Sequence, residues 1–130
     1  MFNLKLRAKN LVKKYGTSNP YAIAKELKFE VLFCDMPEKV NGMWRRILRR
    51  KYIFIDEKLD EWQKQAVLCH ELGHFLLHKG YASYNMAGRT FFLCTRKENE
   101  ANQFASILMN YHSDIDQKYI IDFLENGYKK

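Results

Sequence analysis

From Asp60 to Lys79 apolar residues fill nearly every side of a helix-length segment, yet His70, Glu71, His74 and His78 lie inside it. A helix apolar almost all round is a central, buried one, so the other elements must be layered about it. Asp60 with Gln63 has the pattern of a capping box at the start, and Gly80 is a C-cap signal at the end. Three ionisable groups between positions 70 and 74 of such a helix are costly to bury. An unpaired buried carboxylate alone is penalised by several kcal/mol. Satisfied core histidines beside a stray acid would leave that cost standing, whereas one shared metal ion and its bound water resolve all three groups.

His70-Glu71-Leu72-Gly73-His74 is an H-E-x-x-H sequence. Positions four apart share a helical face about 6 Å apart along the axis, so two imidazoles can converge on one tetrahedral zinc ion. Glu71 is rotated by about 100° from His70, away from direct ligation but near a metal-bound water. His78 continues the row, but at about 12 Å from His70 it is too far to share an ion held by bonds of about 2 Å. A structural role at the C-terminal end of the helix dipole is expected for it. A catalytic zinc ion keeps three protein ligands and an open position, so a third ligand comes from elsewhere, with Glu98 and Glu100 as candidates. Thr95 and Glu98 read as a second capping box, which occupies Glu98. Glu100 lies within about 40° of Phe104 at the edge of the inward face, and is the expected ligand; a solvated acid near a helix N-terminus is its plain alternative.

Around this helix the chain reads as α+β. Leu4, Leu6, Leu11, Val12 and Tyr15 suggest a first helix closed by Gly16, and Asn19-Pro20 opens a second reaching about Leu27. Ile23 to Leu27 resembles the first helix of a helix-turn-helix DNA reader, but Phe29 to Phe33 is β-branched and aromatic where a recognition helix would be needed. Val40–Leu48 and Lys51–Asp56 form a hairpin about Arg49-Arg50. Gly80 to Cys94 reads as a long loop; helix resumes at Thr95 with the stripe Ala101, Phe104, Ala105 and Leu108. A last helix over roughly Ser113 to Leu124 has Ile115, Tyr119, Ile120 and Phe123 as its apolar side. No repeat or linker divides the 130 residues, and one domain spanning 1–130 is expected. No apolar run suits a membrane span, and Cys34, Cys69 and Cys94 form no C-x-x-C pair, which fits a soluble protein of the reducing cytoplasm. The net charge of +7 points to an acidic partner without choosing its kind.

His70 to His78 matches the H-E-L-G-H-x-x-L-H helix of the ImmA/IrrE family of zinc metallo-endopeptidases, and Glu98-Asn99-Glu100-Ala101-Asn102-Gln103-Phe104-Ala105 matches its E-x-E-A-N-x-F-A block. The Tyr15-Gly16, Asn19-Pro20 and Ile23-Ala24 segment and the strand pair before the central helix extend the resemblance over most of residues 10 to 110. It implies a small thermolysin-like (zincin) α+β domain of the short phage or mobile-element type, with one zinc ion held by His70, His74 and Glu100 and with Glu71 as general base. The implied substrate is a helix-turn-helix repressor, whose cleavage relieves repression. Ile107-Leu108-Met109-Asn110 departs from the family's Leu-Leu-Met-Pro, and nothing after Tyr111 matches.

The expected chemistry is peptide hydrolysis, with Glu71 taking a proton from zinc-bound water and returning it to the leaving amine. His112, Tyr111, Tyr84 and Arg89 are unranked candidates for a second oxyanion donor. A substrate strand can add to the edge of the hairpin from Met43 to Ile55. Arg45, Arg46, Arg49, Arg50 and Lys51 there either grip an acidic segment or blunt a solvated edge. The rival function is a non-catalytic antirepressor or a protein- or DNA-binding adaptor that retains a structural zinc site; direct nucleic-acid binding is disfavoured because no recognition helix follows Leu27.

Overall fold

The computed structural model describes residues 3–38, 40–78 and 95–126. Chain order is α1 (Leu4–Tyr15), α2 (Pro20–Glu26), β1 (Phe29–Cys34), β2 (Gly42–Ile47), β3 (Arg50–Asp56), α3 (Glu61–Leu77), α4 (Thr95–Met109) and α5 (Gln117–Asn126), an α+β arrangement. Local chemistry sets most boundaries. Asn3 Oδ1 accepts from the Leu6 N–H at 3.1 Å, and Asn19 Oδ1 accepts from the Tyr21 N–H at 2.9 Å with Pro20 opening α2. Gly16 closes α1 at φ 69°, a left-handed conformation that glycine adopts without strain. The Asp60 N–H donates to Gln63 Oε1 at 2.9 Å, completing a capping box at the start of α3.

The sheet has the order β1-β3-β2, with β1 parallel and β2 antiparallel to β3. The core runs through α3, which packs against β2 and β3 and also against α2, α4 and α5. Ile53, Ile55, Leu68 and Leu72 are fully buried. Phe75 meets Phe29 and Trp44 edge-on, with ring centroids 4.9 and 5.4 Å away, and ties the outer half of α3 to the sheet. Glycine at position 42 is required by the closeness of β2 to α3: a Cβ there would lie 2.6 Å from Val67 Cγ1.

Two boundaries differ from expectation. The hairpin turns at Leu48-Arg49, one residue before the expected pair, with φ values of 49° and 73°. Positive φ at both central residues matches the right-handed twist of the flanking strands, and the chain adopts it without the asparagine or glycine that normally makes it cheap. The last helix starts at Gln117 because the Asp116 carboxylate accepts from the Lys118 N–H at 3.0 Å, while Ser113 Oγ accepts from the Ile115 N–H in a separate turn. Tyr119 is 61% exposed and lies beside Trp62, so only Ile120 and Phe123 of the expected apolar side are buried. The Gly80 cap, the Gly80–Cys94 loop and Cys94 lie outside the described residues, among which Cys34 and Cys69 are free thiols. No described helix is long and apolar enough to cross a membrane.

Candidate metal centre

His70 and His74 stand one turn apart on α3 with their rings perpendicular and centroids 4.6 Å apart. The third side chain comes from α4, which approaches α3 closely because position 73 has no side chain. A Cβ at Gly73 would lie 3.1 Å from Phe104 Cδ2 and 3.6 Å from Ala101 Cα. Across that seam Glu98 Oε2 lies 2.9 Å from His74 Nε2, and Glu98 Oε1 lies 3.3 Å from His70 Nε2. One donor atom from each of the three side chains falls within 4.8 Å of the others. Tetrahedral zinc sites with bonds of about 2.0–2.2 Å need donors about 3.3–3.5 Å apart, so two imidazole nitrogens and a carboxylate fit a divalent ion here.

The ligand expected from sequence, Glu100, is turned elsewhere: its Oε1 is 2.7 Å from His78 Nε2 and its Oε2 is 3.7 Å from Arg96 Nε. Glu98 takes the place assigned to it. The expected second capping box rests on the Thr95 side chain, which lies outside the described residues; the Glu98 carboxylate is directed across the seam at the two rings. A signal for this exists in the sequence. Glu98 is seven residues before Ala105, a rotation of only about 20°, and shares a face with Ala101 and Asn102; Glu100 aligns with Phe104 alone, at the margin of the buried stripe.

Burial sets the electrostatics. It pushes the Glu71 carboxyl up to about 7, Glu98 adding to the effect and the neighbouring His70 and the Trp44 backbone N–H opposing it. Glu71 is 7% exposed, with Oε2 4.0 Å from His70 Nε2. Burial also drives His74 down to about 4, against its hydrogen bond to Glu98. At His70 burial disfavours charge, but hydrogen bonding to Glu98 and the charges of Glu71 and Glu98 outweigh it and raise its pKa. Burial raises Glu98 too, yet its two histidine partners prevail and hold it well below the usual carboxylate range. The outcome is one strongly acidic carboxylate between two imidazoles, beside a second carboxylate whose proton affinity lies near neutrality. Such a pair of differently tuned acids suits proton transfer at a metal-bound solvent molecule.

Residues 24–119 match the family model of the IrrE N-terminal-like domain, Peptidase_M78. The chain belongs to this family. It is 36% identical over 106 residues to "Uncharacterized immunity region protein 2" of Bacillus phage phi105, covering 82% of this chain and 67% of that protein. It is 31% identical over 108 residues to "Metallopeptidase ImmA" of Bacillus subtilis (strain 168), covering 82% of this chain and 62% of that protein. The chain thus spans about two thirds of the length of each of these relatives. No solved structure matches it. Membership makes the chain a metallopeptidase-family protein and accords with its α+β fold.

Other positions singled out in this Peptidase_M78 chain fall away from the three-residue cluster or alter in role. His78 does cap α3, its N–H bonding to the His74 carbonyl at 2.8 Å, but its ring is buried between His74 and Glu100, where a helix-end cation would stand in solvent. His112 is engaged by Ser18 Oγ and Gln65 Oε1, each at 3.0 Å. Tyr111 is exposed, and Tyr84 and Arg89 lie outside the described residues. Arg45, Arg46, Arg49 and Arg50 are exposed along the hairpin, while the Lys51 ammonium sits 4.4 Å from the Phe75 ring centroid.

Proposed function

We propose that this chain is a zinc-dependent endopeptidase in which His70, His74 and Glu98 hold one metal ion and Glu71 is the general base. The observation that carries the proposal is the Glu98 carboxylate spanning both Nε2 atoms with a buried Glu71 alongside. Bound zinc would supply a water acidic enough to ionise near neutral pH and a Lewis acid for the substrate carbonyl. Glu71 takes up the proton and returns it to the leaving amine; a carboxyl raised toward 7 is matched to both transfers. The Trp44 backbone N–H, which donates to Glu71, fixes the base beside β2. β2 is an edge strand of the three-stranded sheet, so an extended substrate can pair with it and bring a peptide bond alongside Glu71.

The substrate in this proposal is a helix-turn-helix repressor, and the setting is the cytoplasm of a bacterium carrying a phage or mobile element. Similarity to a phage immunity-region protein and to a metallopeptidase supports it. The test is incubation of the zinc-loaded protein with the repressor encoded beside it, read by mass spectrometry of the fragments. Cleavage that a chelator stops, and that Glu71→Gln abolishes while retaining zinc, is expected. Undiminished repressor inactivation by Glu71→Gln, without fragments, would instead identify a binding antirepressor.

A further inference from the structure

Beyond the three side chains around the proposed ion, α3 and α4 carry a second polar row. His74 Nδ1 and His78 Nδ1 are 3.0 Å apart in a buried contact, and His78 Nε2 is 2.7 Å from Glu100 Oε1. The Arg96 guanidinium, one turn before Glu100, lies 3.7 Å from its other oxygen. His74 therefore has one nitrogen directed at Glu98 and the opposite one at His78.

We propose that Glu100 and His78 are a positioning pair, which sets the proton arrangement of His74 so that its Nε2 presents a lone pair to the metal ion. An ionised carboxylate only accepts, so His78 Nε2 must carry the hydrogen it shares with Glu100. A neutral imidazole has one N–H, which leaves His78 Nδ1 as an acceptor. Two nitrogens in hydrogen-bond contact need one donor, and that donor is His74 Nδ1. His74 Nε2 is then left with its lone pair. The hydrogen bond that orients a metal-binding imidazole is usually made by one carboxylate or carbonyl; here a second histidine is interposed. The inference rests on the metal site proposed above and explains why an H-E-x-x-H helix continues to His78 and why two glutamates stand two residues apart on α4.

The test uses the full chain loaded with zinc. A long-range proton–nitrogen NMR spectrum is expected to show His78 as the Nε2–H tautomer and His74 protonated at Nδ1; a His78 ring protonated at Nδ1 overturns the proposal. Zinc affinity, measured by competition with a chromophoric chelator, supplies the second arm. Glu100→Leu and His78→Phe are each expected to weaken it by about 10- to 100-fold. His78→Asn should restore most of it, since its Oδ1 accepts from His74 Nδ1 without help from Glu100, and in that background Glu100→Leu should do little more. Equal losses from Glu100→Leu in both backgrounds, or none in either, contradict the pairing. Circular dichroism of each metal-free variant separates loss of fold from loss of affinity. If the parent chain takes up no zinc at all, the metal site itself fails, an outcome distinct from a wrong His78 tautomer in a zinc-loaded protein.

Discussion

The seam between α3 and α4 and the tip of the β2–β3 hairpin both depart from what stability alone would select, in opposite ways. At the seam the backbone is regular and the cost lies in buried polar groups: Glu71, His74 and His78 are almost fully enclosed. At the hairpin end the side chains are solvated and the cost lies in the backbone. Lys28, Leu48 and Arg49 are all at positive φ without being glycine, and Lys28 and Arg49 line the cleft between the α2–β1 corner and the hairpin. Leu48 is 91% exposed as well. Buried polar groups raise a demand that only partners or a metal ion can meet, so they point inward to chemistry. Strain in an exposed turn raises no such demand and can be relieved by substitution without touching the site.

Replacing Glu71 has the largest expected effect and separates activity from stability. Glu71→Gln should abolish turnover and yet stabilise the metal-free protein at pH 8. The sign follows from proton linkage: with its carboxyl raised to about 7 in the fold, the folded state holds its proton longer than the unfolded chain does. Stability is therefore present at low pH and lost as pH rises from the ordinary carboxylate range through neutrality. The gain from the substitution is at most about 3 kcal/mol by linkage. Melting curves of the two metal-free proteins should differ at pH 8 and converge near pH 4.

A smaller effect is expected at Gly73. An added methyl improves helix propensity by about 1 kcal/mol but crowds Phe104 at 3.1 Å. These effects offset one another, so Gly73→Ala should shift the melting temperature little while displacing α4 and lowering zinc affinity by about tenfold. Unchanged affinity would show that the close approach of the helices does not position Glu98. The smallest effect belongs to the other region. Leu48→Asn with Arg49→Gly relieves the strained turn and should raise stability by about 1 kcal/mol with zinc affinity unaltered. Loss of affinity there would show that the two regions are coupled.

Much of this architecture was legible from local signals. Asn3, Asn19, Asp60 and Gly16 mark helix ends by chemistry that needs no tertiary context, and the apolar run through α3 announces its burial. The parallel pairing of β1 with β3 carries no comparable local mark, because which strands pair depends on the helices covering them. The turn at Leu48-Arg49 was expected one residue later because it uses none of the residues that would pin its position. At the site, His70, Glu71 and His74 were singled out through a fixed helical spacing, and the structure groups His70 and His74 with Glu98. The choice between Glu98 and Glu100 depended on how α4 rotates against α3. Gly73 faces Phe104 and Ala101 across that seam, and alignment with Phe104 alone favoured Glu100, whereas Glu98 is the acid that reaches the two rings.

The most direct measurement is zinc-edge anomalous diffraction from crystals of the zinc-loaded protein. One peak is expected at about 2.0–2.2 Å from His70 Nε2, His74 Nε2 and a Glu98 carboxylate oxygen, with Glu100 still bonded to His78. A peak coordinated by Glu100, or placed away from the two imidazoles, would contradict the metal centre described for this chain.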